Sequence, residues 1–491
     1  MRPTRREFLT LGGLASAAAL LAACTSPDLG GRAQATLLGG DEVPGWSQVD
    51  SATWRALSRL TFGPRPEEIA RAAEIGVEAW IEEQLAPEGI DDREADWRVR
   101  RFDATTADPT VLVEIGEETV RRELQAATLL RAVYSKRQLR EVLIDFWSDH
   151  FNISTLKGDC AWLKPLDDRE VIRPHALGSF RDLLLASMHS PAMLCYLDNQ
   201  ENRAGKPNEN YARELLELHT LGVDAGYSQR DVQEVARCLT GWTFDRHRRL
   251  GRFAFDAARH DDGAKTMLGV PIPAGGGARD GEWVAELLLA HPATPSFIAA
   301  KLVRRFVADD PPPVLVSAVA DTFSRTNGDI TAMLRTLFRS PEFAAAPPKF
   351  KRPFAYVAGT LRQLGAATDG GSPLLDLLAQ MGQPLFQWPT PDGFPDRTSA
   401  WSAALLARWR FALALATDGL PGTRLDLGDL SRAANAATLP GWLDRVATLL
   451  LGTPLPAAAR DALLPLLGTD DEPARRAALA IMLASPGYQW K

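Results

Sequence analysis

Apolar residues recur at helical spacing along most of this chain, and strict alternation is scarce. Pro66-Glu67-Glu68-Ile69 begins a helix with proline and acid in its first turn, where unpaired N–H groups and the helix dipole favour them. Residues 78–85 read as a second short helix, closed before Pro87. Ser135-Lys136-Arg137-Gln138 has capping-box spacing, ahead of an apolar face of Leu139, Val142, Leu143 and Phe146. Ser228-Gln229-Arg230-Asp231 is a second capping candidate, with its helix running to Thr240 and stopping at Gly241. Helices are also expected over residues 294–307, 401–415 and 439–466. Alternation is confined to Arg252-Phe253-Ala254-Phe255-Asp256, which Gly269-Val270-Pro271-Ile272 is placed to pair with. The predicted fold is therefore mainly α, a large multi-helix body with at most a small β-ribbon near residues 251–273. Residues 384–395 are rich in proline and carry Phe386, Trp388 and Phe394, so they read as an ordered loop packed on that body.

The first 50 residues have a different pattern. Arg5-Arg6-Glu7-Phe8-Leu9 matches a twin-arginine export signal, and a short apolar stretch leads to Leu21-Ala22-Ala23-Cys24. That stretch falls short of the about 20 residues a permanent span needs. Small residues before a cysteine suit lipoprotein processing, with Cys24 as the lipid-bearing residue. The expectation is a signal peptide over 1–23 and a flexible tether over 24–50 rich in Gly, Pro and Ser. A main helical domain with the candidate site comes next, over 51–345, and a C-terminal helical region packed on it over 346–491. The protein is expected to leave the cytoplasm folded and to be anchored in the cell envelope by its lipid.

Charge and motifs narrow the chemistry. A net charge of −7 argues against a general nucleic-acid binder. Apart from Cys24 the cysteines are Cys160, Cys195 and Cys238, enough for one disulfide and no dense framework. H-E-x-x-H, G-x-S-x-G and the phosphate-loop pattern are absent from the sequence. All seven histidines fall between His150 and His291. Histidine is the usual proton carrier and metal ligand near neutral pH, so this stretch is the expected chemical part of the molecule.

Three segments there carry candidate groups: residues 145–152 around His150, residues 208–222, and Arg259-His260-Asp261-Asp262-Gly263-Ala264-Lys265. On an unbroken helix, Glu209, Asn210, Arg213, Glu214 and Glu217 share one polar arc, and His219 faces away with Leu215 and Leu218. That arc is either a solvated face of i, i+4 pairs or one wall of a site. In the functional reading, Glu214 or Glu217 meets His150 and His260-Asp261 in one cleft. Such a set suits zinc, manganese or iron, with His150, Glu214, Glu217 and His260 as ligands. The same groups without metal suit acid–base work, with His150, Glu214, His260, Asp261 and Lys265 as catalytic candidates.

These segments also carry a family resemblance. Residues 57–64 (Leu57 to Pro64), Phe146-Trp147-Ser148-Asp149-His150-Phe151, Ser190-Pro191-Ala192-Met193-Leu194-Cys195-Tyr196-Leu197-Asp198 and residues 207–222 all take part. So do Ala236-Arg237-Cys238-Leu239-Thr240-Gly241-Trp242 and His260-Asp261 with Lys265. Through them the chain resembles the bacterial proteins grouped as domain of unknown function 1800. Asp149 departs from the family's more frequent Asn, and Cys238 from its more frequent Ala. The resemblance implies an exported, mostly helical protein, often encoded beside an alkaline-phosphatase-like exported partner, and it implies no activity. Two functions stay open at this level. One is an envelope enzyme with a His/carboxylate site, with or without a divalent metal, acting on a polymer or surface molecule. The other is a non-catalytic scaffold or assembly partner for another exported protein.

Overall fold

A computed structural model describes residues 51–245 and 251–491. The export signal, the tether, Cys24 and His247 lie outside the described residues. The fold is mainly helical, and the strands among the described residues form three two-stranded antiparallel ribbons. None of the described helices is long and apolar enough to cross a membrane.

The ribbons correct the expected pairing. Arg252–Phe255 pairs with Trp242–Asp245, and Val270–Ile272 pairs with Lys265–Met267. Leu268 and Gly269 both have positive φ, +50° and +78°. Two such residues make the tight primed turn of a short hairpin, which folds residues 270–272 back onto their own neighbours. A third ribbon, Ala367–Thr368 with Thr423–Arg424, had no signature in the alternation pattern.

Several helix boundaries also differ. The helix expected over 439–466 is two, Leu439–Leu451 and Ala457–Leu467. Gly452, at φ +77°, caps the first in the left-handed region, and Pro456 precedes the second. Ser228 forms its capping box with Asp231, and that helix is Gln229–Cys238. Ser135 does not form a box. Its hydroxyl donates to Asp92 at 2.7 Å, and Gln138 donates to the Ser135 carbonyl at 2.9 Å.

The chain divides into two compact units, and no single cut near residue 345 separates them. Among described residues, one unit holds 51–80, 348–382 and 397–491. The other holds 81–347 and takes back the loop 383–396 from the middle of the C-terminal region. The first unit is organised around helix Pro353–Gln363. Gly359 lies so close to Phe62 that an added Cβ would sit 2.4 Å from its carbonyl oxygen. The buried Arg362 of that helix donates to the Gly63 carbonyl at 2.9 Å and to Glu68 at 2.5 Å.

The second unit contains all the candidate groups. Its helix Glu117–Tyr134 buries most of its length, and helix Gln138–His150 comes after it. Loop 383–396 is fastened from below by side chains. Gln125 donates to the Leu385 carbonyl at 2.8 Å, and Thr155 donates through N and Oγ1 to that of Phe386 at 2.8 and 2.9 Å. Asn152 donates to the carbonyls of Trp388 and Thr390 at 3.1 and 2.7 Å. Unsatisfied backbone acceptors are costly when buried, so these side chains determine where the loop can lie.

Candidate functional site

His150 ends helix Gln138–His150 and is 2% exposed. Phe151, Trp147, Phe180 and Phe297 surround its ring at centroid distances of 4.5, 5.4, 6.1 and 6.4 Å. Its Nε2 lies 3.1 Å from the His219 carbonyl. A carbonyl only accepts, so Nε2 carries the proton and Nδ1 presents a bare lone pair. The two imidazoles are 6.0 Å apart, and Tyr211 stands 6.4 Å from His219. His150 Nδ1, His219 Nε2 and the Tyr211 hydroxyl are all buried without a hydrogen-bond partner. Burial and the charge of Lys301 push both histidines down, His150 well below its ordinary value and His219 to about 3. Both rings are therefore neutral and shut away from any large substrate.

Glu214 and Glu217 lie at a helical irregularity, one just before it and one within it. Asn208 accepts from the Asn210 N–H at 3.0 Å and starts helix Asn210–Glu214. The chain then widens into a π turn over Leu215–Thr220. Leu221 N reaches back to the Leu216 carbonyl at 2.8 Å, and the Thr220 hydroxyl donates to Leu215 at 2.6 Å. The π turn adds a residue to the turn, yet the polar arc expected for an unbroken helix keeps its division: Glu209, Asn210, Arg213, Glu214 and Glu217 are part-exposed, while Leu215 and His219 are buried. Single π turns of this kind occur often at functional sites.

Glu214 is part-buried. Desolvation raises its carboxyl pKa, and the negative charges of Glu217 and Asp392 raise it further against the pull of Arg213. Lys301, on helix Ala293–Phe306, moves the opposite way: desolvation lowers it to about 8 despite Asp149, Asp392 and Asp396. Asp392 thus acts on both groups. It belongs to loop 383–396 and is held there by Trp388 Nε1 at 3.0 Å and the Thr390 hydroxyl at 2.5 Å. Tyr196 closes the same loop by donating to the Pro389 carbonyl at 2.9 Å. Gly393, at φ +73°, packs so tightly on the Asp149 backbone that a Cβ would lie 2.1 Å from the carbonyl oxygen.

The third segment forms a separate buried knot. His260 Nδ1 meets the Thr240 carbonyl at 2.7 Å, and its Nε2 meets Asp280 at 3.2 Å. Lys265 is fully enclosed and donates to Asp280 at 2.5 Å, to the Gly263 carbonyl at 3.0 Å and to the Asp261 carbonyl. Asp261 pairs with Arg237 at 2.7 Å, and that guanidinium lowers its pKa. Every polar atom of His260 and Lys265 is committed, so these residues brace the second ribbon and its neighbours.

The proposed metal set is therefore corrected. Among the described residues, no three His, Cys, Asp or Glu side chains are grouped to hold a metal ion, and His150, Glu214, Glu217 and His260 form no such group. Both His260 nitrogens are already engaged, and one nitrogen of His150 is.

The family described as protein of unknown function (DUF1800) has a model that matches residues 55–490. The chain belongs to that family. No curated protein and no solved structure matches it. In this DUF1800 protein the resemblance segments separate in space by role. Residues 146–151 and 207–222 build the His150–His219 pocket and the Glu214 edge, and residues 236–242 with 260–265 build the Lys265–Asp280 knot. Sequence reading missed Lys301, Asp392 and Asp280. Asp392 had a usable signal, since aromatics in a proline-rich run already marked its loop as packed. Lys301 and Asp280 sit in ordinary amphipathic helices and had none.

Proposed function

We propose that this DUF1800 protein is an exported, lipid-anchored envelope enzyme that uses Glu214 as proton donor and Lys301 as proton acceptor. What supports the reading is Asp392, fixed on loop 383–396 by Trp388 and Thr390, whose charge bears on both groups while desolvation displaces them in opposite directions. A carboxyl raised and an amine lowered both move towards neutral pH, where acid–base catalysts work best. Asp392, held on loop 383–396, tunes both. Glu217 keeps the Glu214 proton in place by like-charge repulsion. His150 and His219 are neutral and buried and take no direct part. The substrate is a polymer or modified surface molecule of the envelope, in keeping with the twin-arginine pattern and Cys24.

Folded protein incubated with an isolated envelope fraction tests the chemistry by mass spectrometry of released products. Wild type is expected to release fragments, and Glu214→Gln to do so about 10²- to 10⁴-fold more slowly. Equal rates would remove Glu214 from the mechanism. The address has its own test. Cys24→Ala is expected to move the protein from the membrane to the soluble envelope fraction, whereas a wild type already soluble would refute the anchor.

A further inference from the structure

We propose that Cys160 and Cys195 are a juxtaposed dithiol, able to close into a disulfide while the chain folds and shielded from oxidation afterwards. Cys160 opens helix Cys160–Leu166, and Cys195 lies in helix Pro191–Tyr196. The Cys160 thiol lies 3.8 Å from the Ala192 carbonyl, and the Cys195 thiol is close enough to act on its titration. Ala192 and Cys195 are three residues apart, on one face of their helix. The flanking chain is clamped in the same register. Lys157 donates to the Tyr196 carbonyl at 2.6 Å and to Asp198 at 2.8 Å. Closure would bring the sulfurs to the bond length of about 2.05 Å between two helix segments already tied together.

The same packing protects the pair. Cys160 and Cys195 are 0% and 4% exposed. The neighbouring thiol and burial push the Cys160 thiol far up. The attacking species in disulfide exchange is the thiolate, so a folded chain reacts slowly. Cys238 is buried on a different helix, Gln229–Cys238. In closure, both S–H bonds break and one S–S bond forms. Two protons and two electrons pass to a small-molecule disulfide, which is cleaved to two thiols. The redox state of the pair therefore records where the chain folded. This last step rests on the proposed twin-arginine export, in which folding ends in a reducing compartment.

Peptide mapping of protein carrying Cys24→Ser tests the pair. Refolding from denaturant with oxidised glutathione is expected to give a Cys160–Cys195 linked peptide, lost in Cys195→Ala. The reduced folded protein should form it on the order of 100-fold more slowly. Absence of the link, or preferential linkage to Cys238, overturns the juxtaposition. Equally fast closure in the folded protein overturns the shielding. Wild-type protein alkylated as it is taken from the envelope addresses the export reading alone. Free thiols are expected, whereas a disulfide there would keep the pair and refute folding before export.

Discussion

The pocket around His150 and the knot around His260 look alike in the sequence, each a histidine beside an aspartate in a resemblance segment. In the structure they are opposites. His260 places both ring nitrogens on partners, and Lys265 beside it makes three hydrogen bonds. His150 uses one nitrogen, and with His219 and Tyr211 it leaves three buried polar atoms unpaired. A satisfied buried network specifies structure, while unpaired buried groups are a stability cost that needs another reason. The difference assigns the knot to architecture. It leaves the Glu214 edge above the His150 pocket as the place where chemistry is expected.

The largest expected effect falls on the knot. Asp280→Ala strips the buried Lys265 of its carboxylate, and breaking one side of a buried pair costs about 3–5 kcal/mol. Denaturant unfolding should show that loss. A change under about 1 kcal/mol would mean that the knot does not brace the fold. Gly393→Ala comes next, on the other region. A side chain at φ +73° that meets the Asp149 carbonyl should cost about 1–3 kcal/mol and displace loop 383–396. Because Asp392 moves with that loop, the apparent pKa of Lys301, followed by its reactivity towards an acylating reagent, should also shift. An unmoved Lys301 would detach the loop from the site. The two histidines can then be compared directly by calorimetry. His260→Phe removes bonds to Asp280 and the Thr240 carbonyl and should cost about 2 kcal/mol. His150→Phe removes one bond and one unpaired nitrogen in an aromatic box, and should cost about 1 kcal/mol or less. Equal losses would erase the distinction between the regions.

Much of this could be read from residue order, for reasons that are local. Ser228 and Asp231 are three residues apart, and a capping box needs nothing more than that spacing. The proline-aromatic composition of 384–395 announced a packed loop. Its transfer to the unit of residues 81–347 was hidden, because it depends on Gln125, Asn152 and Thr155 more than two hundred residues earlier. The π turn was hidden too. Nothing in Leu215 to Thr220 departs from an ordinary helix, and the widening is visible only in where the Leu221 and Thr220 donors land. The setting of His260 was hidden for a related reason. A histidine beside Asp and Lys in a polar loop suggests a reactive site, but Asp280 arrives from helix Arg279–Ala290 and holds His260 and Lys265, while Arg237 holds Asp261.

The last expected effect is absent at neutral pH and appears only on acidification. His219 has a folded pKa of about 3 against an ordinary 6.5. Between those values the unfolded chain binds the proton and the folded chain does not, so stability rises with pH across the window. It is fully present above about 6.5 and is lost as pH falls towards 3, at up to about 1.4 kcal/mol per pH unit for one proton. His150 is displaced in the same direction and adds to the slope. Glu214 works the other way: raised in the folded state, it favours folding when protonated and loses that contribution as pH rises through its folded value. Unfolding free energies measured from pH 7 to pH 4 should therefore fall on acidification, and His219→Gln should flatten the curve by about one proton. An unchanged slope in that variant would mean that His219 can be protonated in place. The pocket would then be open to water, and its contrast with the closed knot would rest on hydrogen bonds alone.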